Sequence, residues 1–482
     1  MVNSLRSFAF IRFVALKEIR EIIRDGRLRL LGIIVVVLAI AALAFGVQQT
    51  SRAQHDREHA AERATDQWQD QGDKNPHVAA HYGTHAFAPT SVATALDPGV
   101  SDYLGRAIKL EAHKRNLAAH SAAQDGAGLQ RLGSFSVSTV LLQLVPLLIV
   151  ALGYGLWSRE RERGTLRQVL STGVNRSSLF WGKALALFVV VGALLIPAAI
   201  VIIVALWWLG GGDASTVVRL GLLGVSYALY FAIFGGLTLF ASAIAGSSRA
   251  ALVGMIGIWG VFCLIAPRGA TEVASALVPL PSQAQLARDV AKTLNTGVDG
   301  TVDREEAVGK IVAELMKDQG FAESEMLVDE AFLAGIELQA EARWEDQAFD
   351  HHVLALDDRI AAQERMVSWA GFISPFVAMR GLSAGLSGTD FAHHRHFTDY
   401  AEQWRKELVG SLNTAFADQA GADGWEYKAG ADLWKKTPPF AYISPAPSFA
   451  LREHLISIAA LFFWLIIAIG AALRSAARVK AV

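Results

Sequence analysis

The residues to weigh first are those whose type and spacing could carry catalysis. His55-Asp-Arg-Glu-His59 sets two histidines four apart around a glutamate, the spacing with which one helix presents two zinc ligands and a general base. No third ligand is identifiable, and the run lies in a charged stretch just after an apolar segment, so it reads as a solvated helix surface. His77, His81 and His85 also recur every four residues, but Pro76 and Gly83 interrupt a regular helix there, and they read as surface histidines. His393, His394 and His396 read as structural. No metal site, catalytic set or cofactor is assigned to the chain. Gly182-Lys183 comes nearest to a phosphate-binding loop, yet Ser177 stands where a glycine is needed and no strand precedes it.

A second kind of chemistry lies in Trp157-Ser-Arg-Glu-Arg-Glu-Arg-Gly-Thr-Leu-Arg-Gln-Val-Leu-Ser171, followed by Asn175-Arg176 and Gly182-Lys183. A charged helix end containing Glu160 and Glu162 breaks at Gly164. A short amphipathic helix follows, with Thr165 as a local cap and Leu166, Val169 and Leu170 apolar. Leu166 and Leu170 lie four apart, so they are expected on one side, free to fill a cleft on a partner. Ser171 closes the helix.

What must position these groups is a set of membrane spans. The composition is 52% hydrophobic and only 18% charged, too apolar for a soluble domain of 482 residues. A bilayer core needs about 20 apolar helical residues, and six stretches fit: residues 30–51, 135–157, 184–212, 217–248 (free of charge from Leu220), 250–267 and 455–473. The first is read as a retained span rather than a cleaved leader, because a helix-like segment precedes it. Cys263 is the only cysteine, so no intramolecular disulfide can brace the chain.

Six spans put alternate loops on opposite sides. Residues 1–29, 158–183, Arg249 and 474–482 hold 17 Lys/Arg against five acids, which assigns them and both termini to the cytoplasm. The long segments 52–134 and 268–454 carry 39 acids against 26 bases and fall on the periplasmic side. In residues 11–27, Ile11, Val14, Ala15, Ile19, Ile22 and Ile23 share one face and the charges the other, although Arg12 and Glu18 intrude. This predicts an interfacial helix on the cytoplasmic leaflet. The start of the first insert, residues 52–70, should continue the first span's helix until Asn75-Pro76. The second insert should be mainly long amphipathic helices: residues 326–369 have helical composition, and Phe397, Ala401, Trp404, Leu408 and Leu412 recur every three or four residues. The expected fold is thus an all-α membrane protein with two extracytoplasmic inserts. Within the spans, Gly254, Gly257 and Gly260 give the fifth a small-residue face for close helix approach. Pro146 and Pro197 should kink the second and third. Ser138, Thr139 and Gln143 are the polar groups that could line a path.

The order Glu160-Arg-Glu-Arg-Gly-Thr-Leu166, a serine, Asn175-Arg176, then Gly182-Lys183 entering a span closely resembles the ABC-2 family of permeases. Ile373-Ser-Pro375, Ala384-Gly-Leu-Ser-Gly-Thr-Asp390, His394-Arg-His-Phe397 and Ala401-Glu402 with Arg405 resemble the large periplasmic domain of ABC-2-type permeases known only as a domain of unknown function. The resemblance implies a permease subunit, not itself an enzyme, in a bacterial inner membrane. It implies that residues 158–183 form a coupling loop, with Glu160, Glu162, Gly164, Thr165, Leu166, Leu170 and Ser171 at the contact with an ABC ATPase. Two ATPase copies would bind the ATP and Mg, and a second permease would complete a homodimer or paralogous heterodimer among membrane lipids; nucleic acid is not an expected partner. The alternatives are a membrane-anchored periplasmic metalloenzyme and a receptor with a periplasmic sensing domain. The cargo is not legible.

Overall fold

The computed structural model describes residues 2–121, 135–210, 212–320 and 330–479, with side chains from residue 8. Helix α1 (Val2–Arg24) ends at Gly26, whose φ of 75° turns the chain directly into α2 (Arg27–Gln69). At 1.5 Å per residue the 43 residues of α2 reach about 65 Å, twice a bilayer core, so one unbroken helix leaves the apolar layer and continues beyond it. It stops at Gln69, short of Asn75-Pro76. Asn75 instead caps the next helix, α3 (Pro76–Tyr82), by accepting from the backbone N–H of His77 and Val78.

Among the described residues, six helices are long and apolar enough to cross a membrane: α2, α4 (Val137–Glu162), α6 (Arg176–Trp208), α7 (Ala214–Ile244), α8 (Ser248–Leu277) and α16 (Leu455–Ala477). The short α5 (Thr165–Ser171) lies between α4 and α6. The chain is therefore an all-α, multi-pass membrane protein. Pro146 and Pro267 each follow a π-helical turn, Val140–Leu144 and Val261–Ile265 respectively. Proline has no N–H to donate, and its ring crowds the carbonyl four residues back; the wider turn shifts the register and lets each helix run through. That is why α8 continues ten residues past Pro267, where the apolar run was expected to end.

The bundle core is built from one buried face of each span around Tyr230, Phe234, Leu148, Ile149 and Leu187. Helix α7 packs so closely on α16 that a Cβ at Gly236 would stand 3.0 Å from that of Ala468. The same core takes in α12 (Pro375–Ser387) through Phe376, Met379, Leu382 and Leu386. At 13 residues α12 is too short to span, yet it is almost wholly buried.

Between α2 and α4 lie α3 and a small antiparallel sheet in the order β1 (Thr84–Phe87), β2 (Ala107–Glu111), β3 (Lys114–Arg115), with Thr84 opposite Leu110. In β2 the buried Ile108 and Leu110 alternate with Lys109 and Glu111, a period-two pattern too brief to announce a sheet in an alanine-rich insert. Between α8 and α16 the chain is helical: α9 (Gln283–Thr296), α10 (Arg304–Asp318), α11 (Glu330–Trp369), α12, α13 (Phe391–Gln419), α14 (Ala431–Lys436) and α15 (Pro447–Glu453). The expected start of α11, residues 326–329, lies outside the described residues. On α13, Phe397, Ala401, Leu408 and Leu412 are buried and Trp404 partly so, as their spacing predicts. Its polar edge is locked to α11: Arg405, 1% exposed, reaches both carboxylate oxygens of Glu402 and also Asp346.

Candidate functional site

At the α1 end of the bundle, residues 157–171 are tied to three other elements by charge. Glu160 accepts from Lys17 of α1 at 2.5 Å and pairs with Lys183 of α6 at 2.8 Å. Lys183 is fully enclosed; it also donates to Glu18 Oε1 at 2.5 Å and to the Leu156 carbonyl at 2.7 Å. Glu18, the apparent intruder on the apolar face of α1, is therefore the group that neutralises a buried lysine. Gly182 completes the fit, since a Cβ there would lie 2.6 Å from Val14. The Gly182-Lys183 pair thus serves helix packing and charge pairing.

Three further ties run outward from the same loop. Arg159 donates to Asp25 at 2.8 Å, and the bond from Arg27, with this second one, holds the Asp25 carboxyl down to about 2. Arg161 donates to the Ala243 and Ala245 carbonyls at the end of α7, satisfying acceptors that a helix C-terminus leaves open. Glu162 accepts from the backbone N–H of Ser248 at 2.9 Å, so it acts on the first turn of α8.

Gly164, with φ of 73°, is the residue that turns α4 into α5; Thr165 is not the cap but donates back to the Glu160 carbonyl. Leu166 does not face outward as expected. It is fully buried in the chain's own core, while Leu170 is half-buried. The exposed face of α5 is polar and consists of Thr165, Arg167, Gln168 and Ser171.

At the opposite end a cavity of about 480 Å³ opens between α2, α7 and the α12–α13 junction. Its charged wall is a chain of donors. Arg219 donates to His393 Nε2 at 3.4 Å and to the Pro445 carbonyl at 2.7 Å; His393 Nδ1 donates to Asp390 Oδ1 at 2.5 Å; His454 Nε2 meets Asp390 Oδ2 at 2.8 Å. Burial works against the charge on Asp390, but the two imidazole donors hold its carboxyl well below the usual range. Gly385 is required here, since a Cβ would stand 2.2 Å from His454 Nε2. The stretch 384–390 thus joins the end of α12 in the bundle to the start of α13 outside it. Burial alone pushes neighbouring His394 down to about 4.

Of the polar residues proposed for a path, Ser138 is buried and bonded to Ser136, which lines this cavity; Thr139 bonds the same Ser136 hydroxyl. Gln143 contributes its backbone carbonyl to Trp259 Nε1. Gly254, Gly257 and Gly260 lie on α8 with no atom within 4 Å of where their Cβ would be, among the described residues. His55 and His59 are neighbours on the exposed part of α2, His59 beside Glu62. His85 points from β1 and stacks on Phe87, whereas His77 is buried and meets His81 and His113. His113 carries no local sequence signal that could have linked it to α3.

Among the described residues, six apolar helices, a basic loop locked to their ends and a helical domain at the other end define a polytopic membrane protein. Residues 12–479 match the family described as ABC-2 family transporter protein, and the chain belongs to that family. No curated protein matches it. Membership makes the chain a membrane subunit of an ABC transporter rather than an enzyme in its own right, of a kind that works with an ABC ATPase partner.

Proposed function

We propose that the exposed face of α5 is the surface on which the ATPase acts, and that the α1 end of the bundle is cytoplasmic in a bacterial inner membrane. Two ATPase copies and a second permease, identical or paralogous, would complete the transporter. The observation that carries this reading is the way Glu160, Arg161 and Glu162, at the end of α4 that Gly164 joins directly to α5, bond to α1, α6, α7 and α8 at once. A push on α5 reaches four helices without passing through a flexible linker. At the far end α7 carries Arg219, which bonds to His393 in the Arg219–His393–Asp390–His454 chain, so rocking of α7 would open or close the cavity and move α13. That movement would export a cargo or do mechanical work in the periplasm. Gly164, Thr165 and Ser171 frame the docking face, and Glu160 and Glu162 transmit from it.

The test is reconstitution with the cognate ATPase. Arg167→Glu and Gln168→Asp alter exposed side chains only, so expression and insertion should stay normal while ATPase co-purification or permease-dependent ATP turnover falls at least tenfold. Unchanged pull-down and turnover in the double variant would remove α5 as the docking face.

A further inference from the structure

His77 and His81 lie one turn apart on α3, and a third imidazole, His113, is brought to them from the turn between β2 and β3. His77 Nε2 is 3.2 Å from His81 Nε2 and 3.3 Å from His113 Nε2, and one ring nitrogen from each residue lies within 4.8 Å of the other two. Two nitrogens bound tetrahedrally to one zinc ion at about 2.0–2.1 Å stand about 3.3 Å apart. The approach is built in: Gly83 (φ 63°) ends α3 where a Cβ would collide with the Leu110 carbonyl at 2.0 Å, and the Ala112 N–H bonds Ala80 O at 2.9 Å.

The outer nitrogens of the rings are also fixed. His113 Nδ1 meets the Glu345 carboxylate at 2.6 Å, and His77 Nδ1 meets Asn413 Oδ1 at 3.2 Å. The Glu345 carboxylate and the Asn413 amide oxygen accept, so each Nδ1 carries a proton and each ring, when neutral, turns its Nε2 lone pair inward. His113 itself is held at φ 60°, a left-handed backbone that a residue with a Cβ seldom adopts, and such strain collects where function holds it.

We propose that His77, His81 and His113 bind one divalent transition-metal ion of the zinc class, with Glu345 and Asn413 orienting the ligands. Three neutral imidazoles without a thiolate suit Zn(II), Cu(II) or Ni(II) rather than magnesium or calcium. Carboxylate-to-histidine support of this kind recurs around such ions. Because Glu345 and Asn413 belong to α11 and α13, the ion would also clamp the small sheet to the long helices.

The experiment uses the full chain in detergent, purified without a histidine tag, stripped with EDTA and dialysed. Zn(II) uptake is measured by metal analysis and by competition with a chromophoric chelator, and Co(II) uptake by its visible bands. One equivalent of Zn(II) is expected, with a rise in melting temperature and a tetrahedral-type Co(II) spectrum. His113→Gly removes a ligand while relieving the backbone strain, and His81→Ala changes an exposed side chain, so both should fold and lose the equivalent. Glu345→Gln should weaken binding about 10–100-fold, and His85→Ala should leave it unchanged. The proposal is overturned if the wild-type chain takes up no equivalent, or if His113→Gly and His81→Ala retain it.

Discussion

Lys183 Nζ is enclosed by three acceptors from three places in the chain: Glu18 at 2.5 Å, Glu160 at 2.8 Å and the Leu156 carbonyl at 2.7 Å. Its side chain has no exposure and that of Glu18 only 4%. Removing Lys183 leaves Glu18 and Glu160 to share Lys17, at 3.2 and 2.5 Å, a partial loss of pairing that costs less than the ~3–5 kcal/mol of a buried charge left wholly unpaired. Lys183→Met should therefore lower the thermal stability of the detergent-solubilised chain markedly. Adding Glu18→Gln to it should restore part of the loss, because one of the two carboxylates then left to share Lys17 is gone. Additive losses in the double variant would show that the two residues act independently.

Leu166 separates packing from docking on the same seven-residue helix. It is buried against the bundle, so Leu166→Ala opens a cavity and should cost about 2–5 kcal/mol. Leu166→Asp should fail to accumulate at all. Arg167→Glu, one residue away and exposed, should melt with the wild type. Thermal melts of the purified variants settle this: equal stability of Leu166→Ala and wild type would place that side chain outside the core.

Much of this layout is written in local sequence. Each span is a long apolar run, and no other structure satisfies so many apolar residues and their backbone groups at once. The period along Phe397, Ala401, Leu408 and Leu412 gave the buried face of α13 correctly. What escaped was non-local. Leu166 looks like a free apolar face until the fold buries it in the bundle core. Glu18 looks misplaced until Lys183 arrives from 165 residues away. Helix α12 has only 13 residues, and length was the criterion for a place among the spans. His77 and His81 acquire a third partner only through a strand turn that composition does not announce.

Protonation should tune the domain between α8 and α16. Burial raises the Glu364 carboxyl to about 7, with Asp390 and Glu453 adding negative charge and His454 opposing them; burial likewise raises Asp357 to about 6. A carboxyl with a raised pKa holds its proton in the folded chain while the unfolded chain has lost it. Between the ordinary value of 4.5 for glutamate and about 7, the folded state binds more protons, so this contribution to stability declines as pH rises. His77 and His394, both pushed down to about 4 mainly by burial, act in the opposite direction between about 4 and 6.5. Glu364→Gln isolates the first effect. Its melting temperature relative to wild type should rise steadily from pH 5 to pH 8; a difference that does not vary with pH would mean Glu364 titrates normally.

The last prediction concerns α8. Gly254, Gly257 and Gly260 have open space where a side chain would begin, whereas Gly182 and Gly236 have a neighbour at 2.6 Å and 3.0 Å. The glycines of α8 therefore satisfy no packing need within the chain. A face of small residues lets two helices approach closely in a membrane, where dispersion and weak interhelical bonds replace the hydrophobic effect. The neighbours Val253 and Ile256 are exposed beside them, giving the face apolar flanks. A second permease seated on this face would need the glycines, while lipid would not. Gly257→Leu should leave insertion and monomer stability unchanged but shift the chain from dimer to monomer in nanodiscs, read by mass photometry or cysteine crosslinking. Gly236→Leu should instead destabilise the monomer, because its side chain would run into Ala468. If Gly254→Leu, Gly257→Leu and Gly260→Leu all keep the wild-type oligomeric state, the face is turned to lipid and the second permease docks elsewhere.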